Sequence, residues 1–138
     1  MSATITQRIH NGRGLTTWED PETKEVEAGW PEVAYESVRA INHLTFGGTV
    51  PAPVLYDILG NLKGVAHLLP QALEQLSEGL EKSLVELDVY DRAGDPAQNV
   101  HLAQQHLVEA IAAARGLGAA LEAAQSAIGD QGYNPPAG

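Results

Sequence analysis

Five histidines are the residues of this chain best suited to metal ligation or to base catalysis near neutral pH. A carboxylate-bridged di-metal centre in a helical bundle takes Glu-x-x-His from each of two helices. The residues three places before His10, His43, His67, His101 and His106 are Gln7, Ala40, Gly64, Gln98 and Ala103, and none is glutamate. His106 with Glu109 has the reverse order and stands alone. His-Glu-x-x-His is absent too, which removes helix-borne zinc hydrolysis. His67 and His101 fall at outward helical positions and His106 at the edge of an alanine-rich face, where a solvated imidazole is the ordinary state. Should the fold bring His67 near His101 or His106, the result would be a weak, adventitious metal contact and not a dedicated site.

Other chemistries fare no better. The chain has no Gly-x-Ser-x-Gly elbow and no serine beside an evident base. It has no Gly-x-x-x-x-Gly-Lys loop to cradle a phosphate. Cysteine is absent, so disulfides, thiol catalysis and cysteine-based metal sites are excluded. No residue is assigned as catalytic, cofactor-binding or metal-ligating, and a non-enzymatic role is the expectation.

What the sequence does specify is helical architecture. Val100, Ala103, Leu107, Ala110, Ala114, Leu117, Leu121, Ala124 and Ile128 advance by three and four, the spacing of one stripe along a helix. Asp95-Pro96 is a strong start, a capping carboxylate before a residue whose missing N–H is harmless in the first turn. Gly129 is the expected left-handed stop. A second ladder runs from Leu55 through Leu59, Leu62, Ala66, Leu69, Leu73, Leu76, Leu80 and Ser83 to Leu87. Pro70 interrupts it, removing the hydrogen bond to the Ala66 carbonyl, so a kink or short break is expected between His67 and Pro70. With Asp88 to Pro96 as the turn, the two stretches should form one long antiparallel hairpin, large side chains on one arm against small ones on the other.

The alanine arm carries more apolar surface than one neighbour can cover. Ala113, Ala120 and Ala127 recur every seven residues beside the stripe, and Ile111 lies on its other flank. A face that wide asks for a second helix. Both the helix nearer the N-terminus and a second copy of the chain are expected to contribute. Gly116 and Gly118 flank Leu117 at about 1 kcal/mol each relative to alanine, which fits either a close helix approach or tolerated surface glycine.

At 138 residues the chain suits one domain with a core that needs no cross-links. Eight Lys and Arg against eighteen Asp and Glu leave a net charge of −10, which argues against direct nucleic-acid binding. Glu74, Glu78 and Glu81 form an acidic face, ordinarily a solvated one, or else a surface for a basic protein partner. Met1 to His10 lack the apolar run of a signal peptide, and no stretch is apolar enough to span a bilayer. A cytoplasmic protein without membrane contact is expected.

Residues 1–30 do not read as helix. Thr4 to His10 alternates, Asn11-Gly12 is a hairpin turn, and Arg13 to Trp18 can return, with Ile5 across from Trp18. Asp20 to Lys24 is a second turn and Val26 to Trp30 a third strand, so this arm is a small meander or an irregular segment. Trp18 and Trp30-Pro31 suggest fragments of a WW domain, but tryptophans twelve positions apart are too close, and packing is the better role for both. Pro31 opens a helix with Ala34, Val38, Ile41 and Thr45 on one face, Tyr35 and Leu44 beside it, and Gly47-Gly48 at its end. Thr49 to Pro53 is a rigid connector.

The run Leu55-Tyr-Asp-Ile-Leu-Gly-Asn-Leu62, the step Leu69-Pro-Gln-Ala-Leu73 and Gly94-Asp-Pro96 before an alanine-rich helix resemble small helical proteins of uncharacterised role from actinobacteria and their phages or conjugative plasmids. The likeness covers about two-thirds of the chain and lies in structural motifs. It implies a mobile-element setting and transfers no site residues.

The expected fold is therefore mainly α: a long antiparallel helical hairpin kinked near Pro70, a short N-terminal helix, and a small β-meander or irregular N-terminal arm. The arm is residues 1–30, the helical bundle 31–129, and 130–138 a disordered tail. The expected role is a self-associating interaction module, a homodimer or higher homo-oligomer, with Ile111, Ala113, Gly118, Ala120 and Ala127 at the contact. The alternatives are an acidic inhibitor or regulator of a basic partner, and a subunit of a phage or other assembly that uses the N-terminal arm.

Overall fold

A computed structural model of the chain describes residues 12–136. It contains two short strands, β1 (Trp18–Glu19) and β2 (Val26–Glu27), and three helices, α1 (Trp30–Thr45), α2 (Ala52–Glu86) and α3 (Pro96–Ala127). The chain divides into two compact units, residues 1–49 and 50–138. That division groups α1 with the N-terminal arm and leaves the hairpin as a unit of its own.

In the first unit, β1 and β2 pair antiparallel with Trp18 opposite Glu27 and Glu19 opposite Val26. The turn between them is built on Asp20, whose carboxylate accepts from the Glu22 and Thr23 amides at 2.8 and 3.2 Å. Lys24 takes a left-handed φ of 64° to close it. The expected strand from Thr4 to His10 and its pairing with Trp18 lie outside the described residues. The third expected strand is shorter than Val26 to Trp30: Gly29 is the N-cap of α1 and Trp30 its first residue. Arg13 holds this junction, its guanidinium 5.5 Å from the Trp30 ring and one nitrogen donating to the Ala28 carbonyl at 2.5 Å. A side chain at Gly29 would collide with the backbone of Leu15 and Thr16. Thr17 donates its hydroxyl to Glu32 and accepts from the Gly29 amide. Within this unit α1 buries no residue, and Val38 and Leu44 of its apolar face are exposed.

The second unit is the antiparallel hairpin of α2 and α3. Pro70 lies inside α2, yet the helix is continuous from Ala52 to Glu86, so the short break does not occur. Asp95 caps α3 as its position suggests, accepting from the Ala97 amide at 3.1 Å. The far end differs from expectation. Helix α3 stops at Ala127, Ile128 is the cap at φ −108°, and Gly129 is not left-handed. The final turn tightens instead, with the Ile128 amide bonded to the Gln125 carbonyl at 3.3 Å, so no left-handed residue is needed. Residues 131–136 have no regular structure.

The loop between the arms is organised by Asp91. Its carboxylate accepts from the Asn99 side chain at 2.6 Å and from the Ala93 amide at 2.8 Å. The Asn99 bond, followed by the Ala93 amide, lowers the Asp91 pKa below its ordinary value. A depressed carboxyl pKa contributes stability that is present above the unfolded value and is lost as pH falls through the folded one. In the Asn99→Ala variant, the Asp91 carboxyl followed by NMR titration should therefore move up towards the usual aspartate range. An unmoved titration would show that Asn99 does not tie the loop to α3.

Candidate interaction surface

Each arm of a two-helix hairpin can turn only one stripe towards the other. On α3 the residues most withdrawn from solvent are Ile111, Ala114, Gly118 and Gln125. Val100, Gln104, Leu107, Leu121 and Ile128 are half-buried and continue the same seven-residue pattern. The stripe expected from hydrophobicity shares Val100, Leu107, Ala114, Leu121 and Ile128 with it. Elsewhere it is displaced by one residue: Ala110, Leu117 and Ala124 are exposed, and Ile111, Gly118 and Gln125 take their places. On α2 the buried residues are Leu59, Ala66 and Pro70, with Leu73, Ser77 and Leu80 half-buried. Here Pro70 and Ser77 displace Leu69 and Leu76, which are 37% and 55% exposed.

Two polar arrangements set the register of this seam. Near the open end, the buried Gln125 donates to the Tyr56 carbonyl at 3.0 Å and accepts from Lys63 Nζ at 2.9 Å. Gly60 leaves the room: a Cβ there would lie 2.9 Å from the Gln125 amide nitrogen. Nearer the loop, the Gln104 side chain donates to the Ser77 carbonyl at 3.3 Å. A buried amide satisfied in one register alone disfavours a slip of either rod. Midway, Gly118 sits against His67, whose Cε1 would be 2.9 Å from a Cβ at that position. Gly116 faces open space. The close-approach reading thus holds for Gly118 and the tolerated-glycine reading for Gly116.

The seam leaves two unlike flanks. A helix turns about 100° per residue, so the residue just after each seam position faces one side and the residue just before it faces the other. The first flank is polar. Glu74 and Glu78 of α2 border a groove with Val108, Ala112 and Arg115 of α3, and Arg115 reaches Glu74 at 3.4 Å. Glu81 extends the acidic edge with Lys82 beside it. The second flank is apolar. On α2 it carries Leu62, Leu69 and Leu76, with Val65, Ala72 and Gly79 behind them. On α3 it carries Ala103, Ala110, Leu117 and Ala124, with Ala113, Ala120 and Ala127 behind. Between residues 58 and 83 of α2 and residues 103 and 127 of α3, these lines hold no Asp, Glu, Lys or Arg. Val65, Leu76 and Leu117 are each at least half exposed.

The residues proposed from sequence for a contact therefore separate. Ala113, Ala120 and Ala127 are exposed on the apolar flank, whereas Ile111 and Gly118 are buried against α2. Leu69, Leu76 and Leu117, assigned from sequence to the seam, join the exposed set. The histidines stay apart. His67 is level with Gly118, twelve residues along α3 from His106, or about 18 Å, and His106 pairs with Glu109 at 3.4 Å. The adventitious metal contact between them does not form. Among the described residues no cluster of His, Asp and Glu could hold a metal ion, and no helix is long and apolar enough to cross a membrane. No family model matches the chain, and no curated protein or solved structure matches it either.

Gly118→Ala asks only an exposed imidazole to swing outward and removes a helix glycine. It should leave unfolding free energy unchanged or raise it by up to about 1 kcal/mol. Gln125→Ala removes two hydrogen bonds from the seam and should cost about 1–2 kcal/mol. Urea unfolding of both variants at one fixed protein concentration checks the pair. A neutral Gln125→Ala would mean that the amide does not hold the register.

Proposed function

We propose that the chain is a non-enzymatic helical interaction module that self-associates through its alanine-rich helix, as a homodimer or higher homo-oligomer. One observation carries this reading: the hairpin leaves an uncharged, leucine- and alanine-lined flank uncovered along both arms. Surfaces of that kind mark association sites when they exceed the scattered apolar residues of an ordinary protein exterior. Two hairpins meeting there make a four-helix bundle, the arrangement in which such flanks become core.

A second reading has its own support. Glu78 and Glu81 have no ion-pair partner among the described residues and lie on the opposite flank, where a basic protein would be drawn. Self-association and that contact use different surfaces, so one does not compete with the other. The assembly-subunit reading depends on residues 1–30, much of which lies outside the described part.

Sedimentation equilibrium on the full chain from low to high micromolar concentration tests the leading reading. The weight-average mass should rise to at least twice the chain mass, and the thermal midpoint should climb with concentration, as linkage requires. A single species of chain mass at high micromolar concentration would refute it.

A further inference from the structure

We infer that two copies pair through the apolar flank about a two-fold axis running along the hairpin, which lays α2 of each copy over α3 of the other. This rests on the self-association proposed above and names its surface and geometry. The flank is self-complementary in volume. Leu62, Val65, Leu69 and Leu76 make α2 the bulky side. Ala103, Ala110, Ala113, Ala120 and Ala124 make α3 the smaller one, Leu117 apart. An axis parallel to the helices sets bulky against small on both sides of the interface. An axis across the hairpin would stack leucine on leucine and alanine on alanine, crowding one half and leaving a void in the other. In the first arrangement every neighbouring helix pair is antiparallel.

Charge selects the occupant. The chain carries a net charge of −10, so a second copy is repelled wherever carboxylates oppose one another. Glu74, Glu78 and Glu81 lie on the far flank, and the apolar flank offers nothing for a like-charged copy to oppose. A basic partner gains nothing from the uncharged side and is drawn to the acidic one. The area is sufficient as well. Residues 103–127 span about 37 Å of helix, and two helices side by side are about 20 Å wide, giving roughly 750 Å² per copy. A standard stable interface takes about 800 Å² from each partner.

The test uses the full chain. Leu76→Glu and Ala120→Glu each place a carboxylate on the apolar flank at an exposed position, so neither should unfold the hairpin. Val108→Glu does the same at an exposed position on the other flank. Circular dichroism should show equal helix content in all three. In sedimentation equilibrium the first two should weaken dimerisation by at least about 100-fold, and Val108→Glu should leave it within a few-fold of wild type. A wild-type chain that is monomeric throughout overturns both this inference and the self-association beneath it. A dimer indifferent to Leu76→Glu and Ala120→Glu overturns the surface alone and leaves self-association standing. If the flank is covered by another segment of the same chain, the wild type is monomeric and Leu76→Glu lowers its thermal midpoint, which also overturns the inference.

The absence of native cysteine allows the axis to be read directly. Ala72 and Ala113 lie near one level of the hairpin, on the outer lines of the flank. After subunit exchange and oxidation, an equimolar mixture of Ala72→Cys and Ala113→Cys chains should give a disulfide-linked dimer, and either variant alone should give little. Efficient self-linking of Ala72→Cys alone would place α2 on α2 and overturn the stated geometry.

Discussion

A pair of antiparallel rods has one seam, and each rod can commit only one stripe to it. Everything else about the hairpin follows from which stripe is chosen. Helix α3 commits Ile111, Ala114, Gly118 and Gln125, and α2 answers with Leu59, Ala66, Pro70 and the half-buried Ser77. Several of these are small or polar, and two glycines, Gly60 and Gly118, stand where a side chain from the opposite arm comes within about 3 Å of a hypothetical Cβ. A seam that close has no room for a continuous leucine ladder. The leucines at 69, 76 and 117 are turned to one flank, and the apolar surface that a looser pairing would have hidden lies open.

That displacement also marks the limit of what the sequence disclosed. The hairpin, its loop, the Asp95 cap and the continuation of helical periodicity across Pro70 were all legible, because each rests on a local rule or a long repeat. The choice between two neighbouring stripes on α3 was not. Val100, Leu107, Ala114, Leu121 and Ile128 belong to both, and the deciding positions lie three or four residues after each. The unbroken apolar spacing of Ala103, Ala110, Leu117 and Ala124 wins over Gln104, Ile111, Gly118 and Gln125, although Ile111 is more apolar than Ala110. The second set carries two glutamines, which read as solvent-facing, and a glycine. The two glutamines enter the seam because each finds a carbonyl on the other arm, at Ser77 and Tyr56, and such a partner is invisible without the fold. One signal was available: Lys63 follows Leu59 by four residues and Gln125 follows Leu121 by four, so each polar side chain shares a helix face with a seam leucine near the open end.

The proposed contact residues divided for the same reason. Ile111 and Gly118 flank the stripe that apolar spacing picks out, and a one-position displacement brings them into the seam. The identical displacement carries Leu117 outward to join Ala113 and Ala120. The surface suited to a partner is thus broader and bulkier than alanine alone, with α2 contributing as much as α3. In the first unit, α1 shows how propensity and burial can part company. Its Pro31 start, its glycine end and its apolar arc suffice to define a helix, yet none of its residues is buried within that unit. Its N-terminal end is tied down by Arg13, Thr17 and the Trp30 ring.

The distribution of charge turns the two flanks into separable surfaces. A net charge of −10 would ordinarily weigh against like-with-like association. Here, between residues 58 and 83 and residues 103 and 127, the hairpin's acids avoid one flank, and in a pair joined through that flank the two Glu74 to Glu81 edges are separated by the thickness of two helices, about 20 Å. Screening at physiological ionic strength acts within about 8 Å, so carboxylates on the far edge contribute little repulsion across an interface on the near one. In a pair joined through the apolar flank, both acidic edges face outward, still solvated and still able to meet a basic protein. The arrangement of charge therefore permits association and acidic display in one small molecule, each on its own side of a seam fixed by Gln125, Lys63 and the Tyr56 carbonyl.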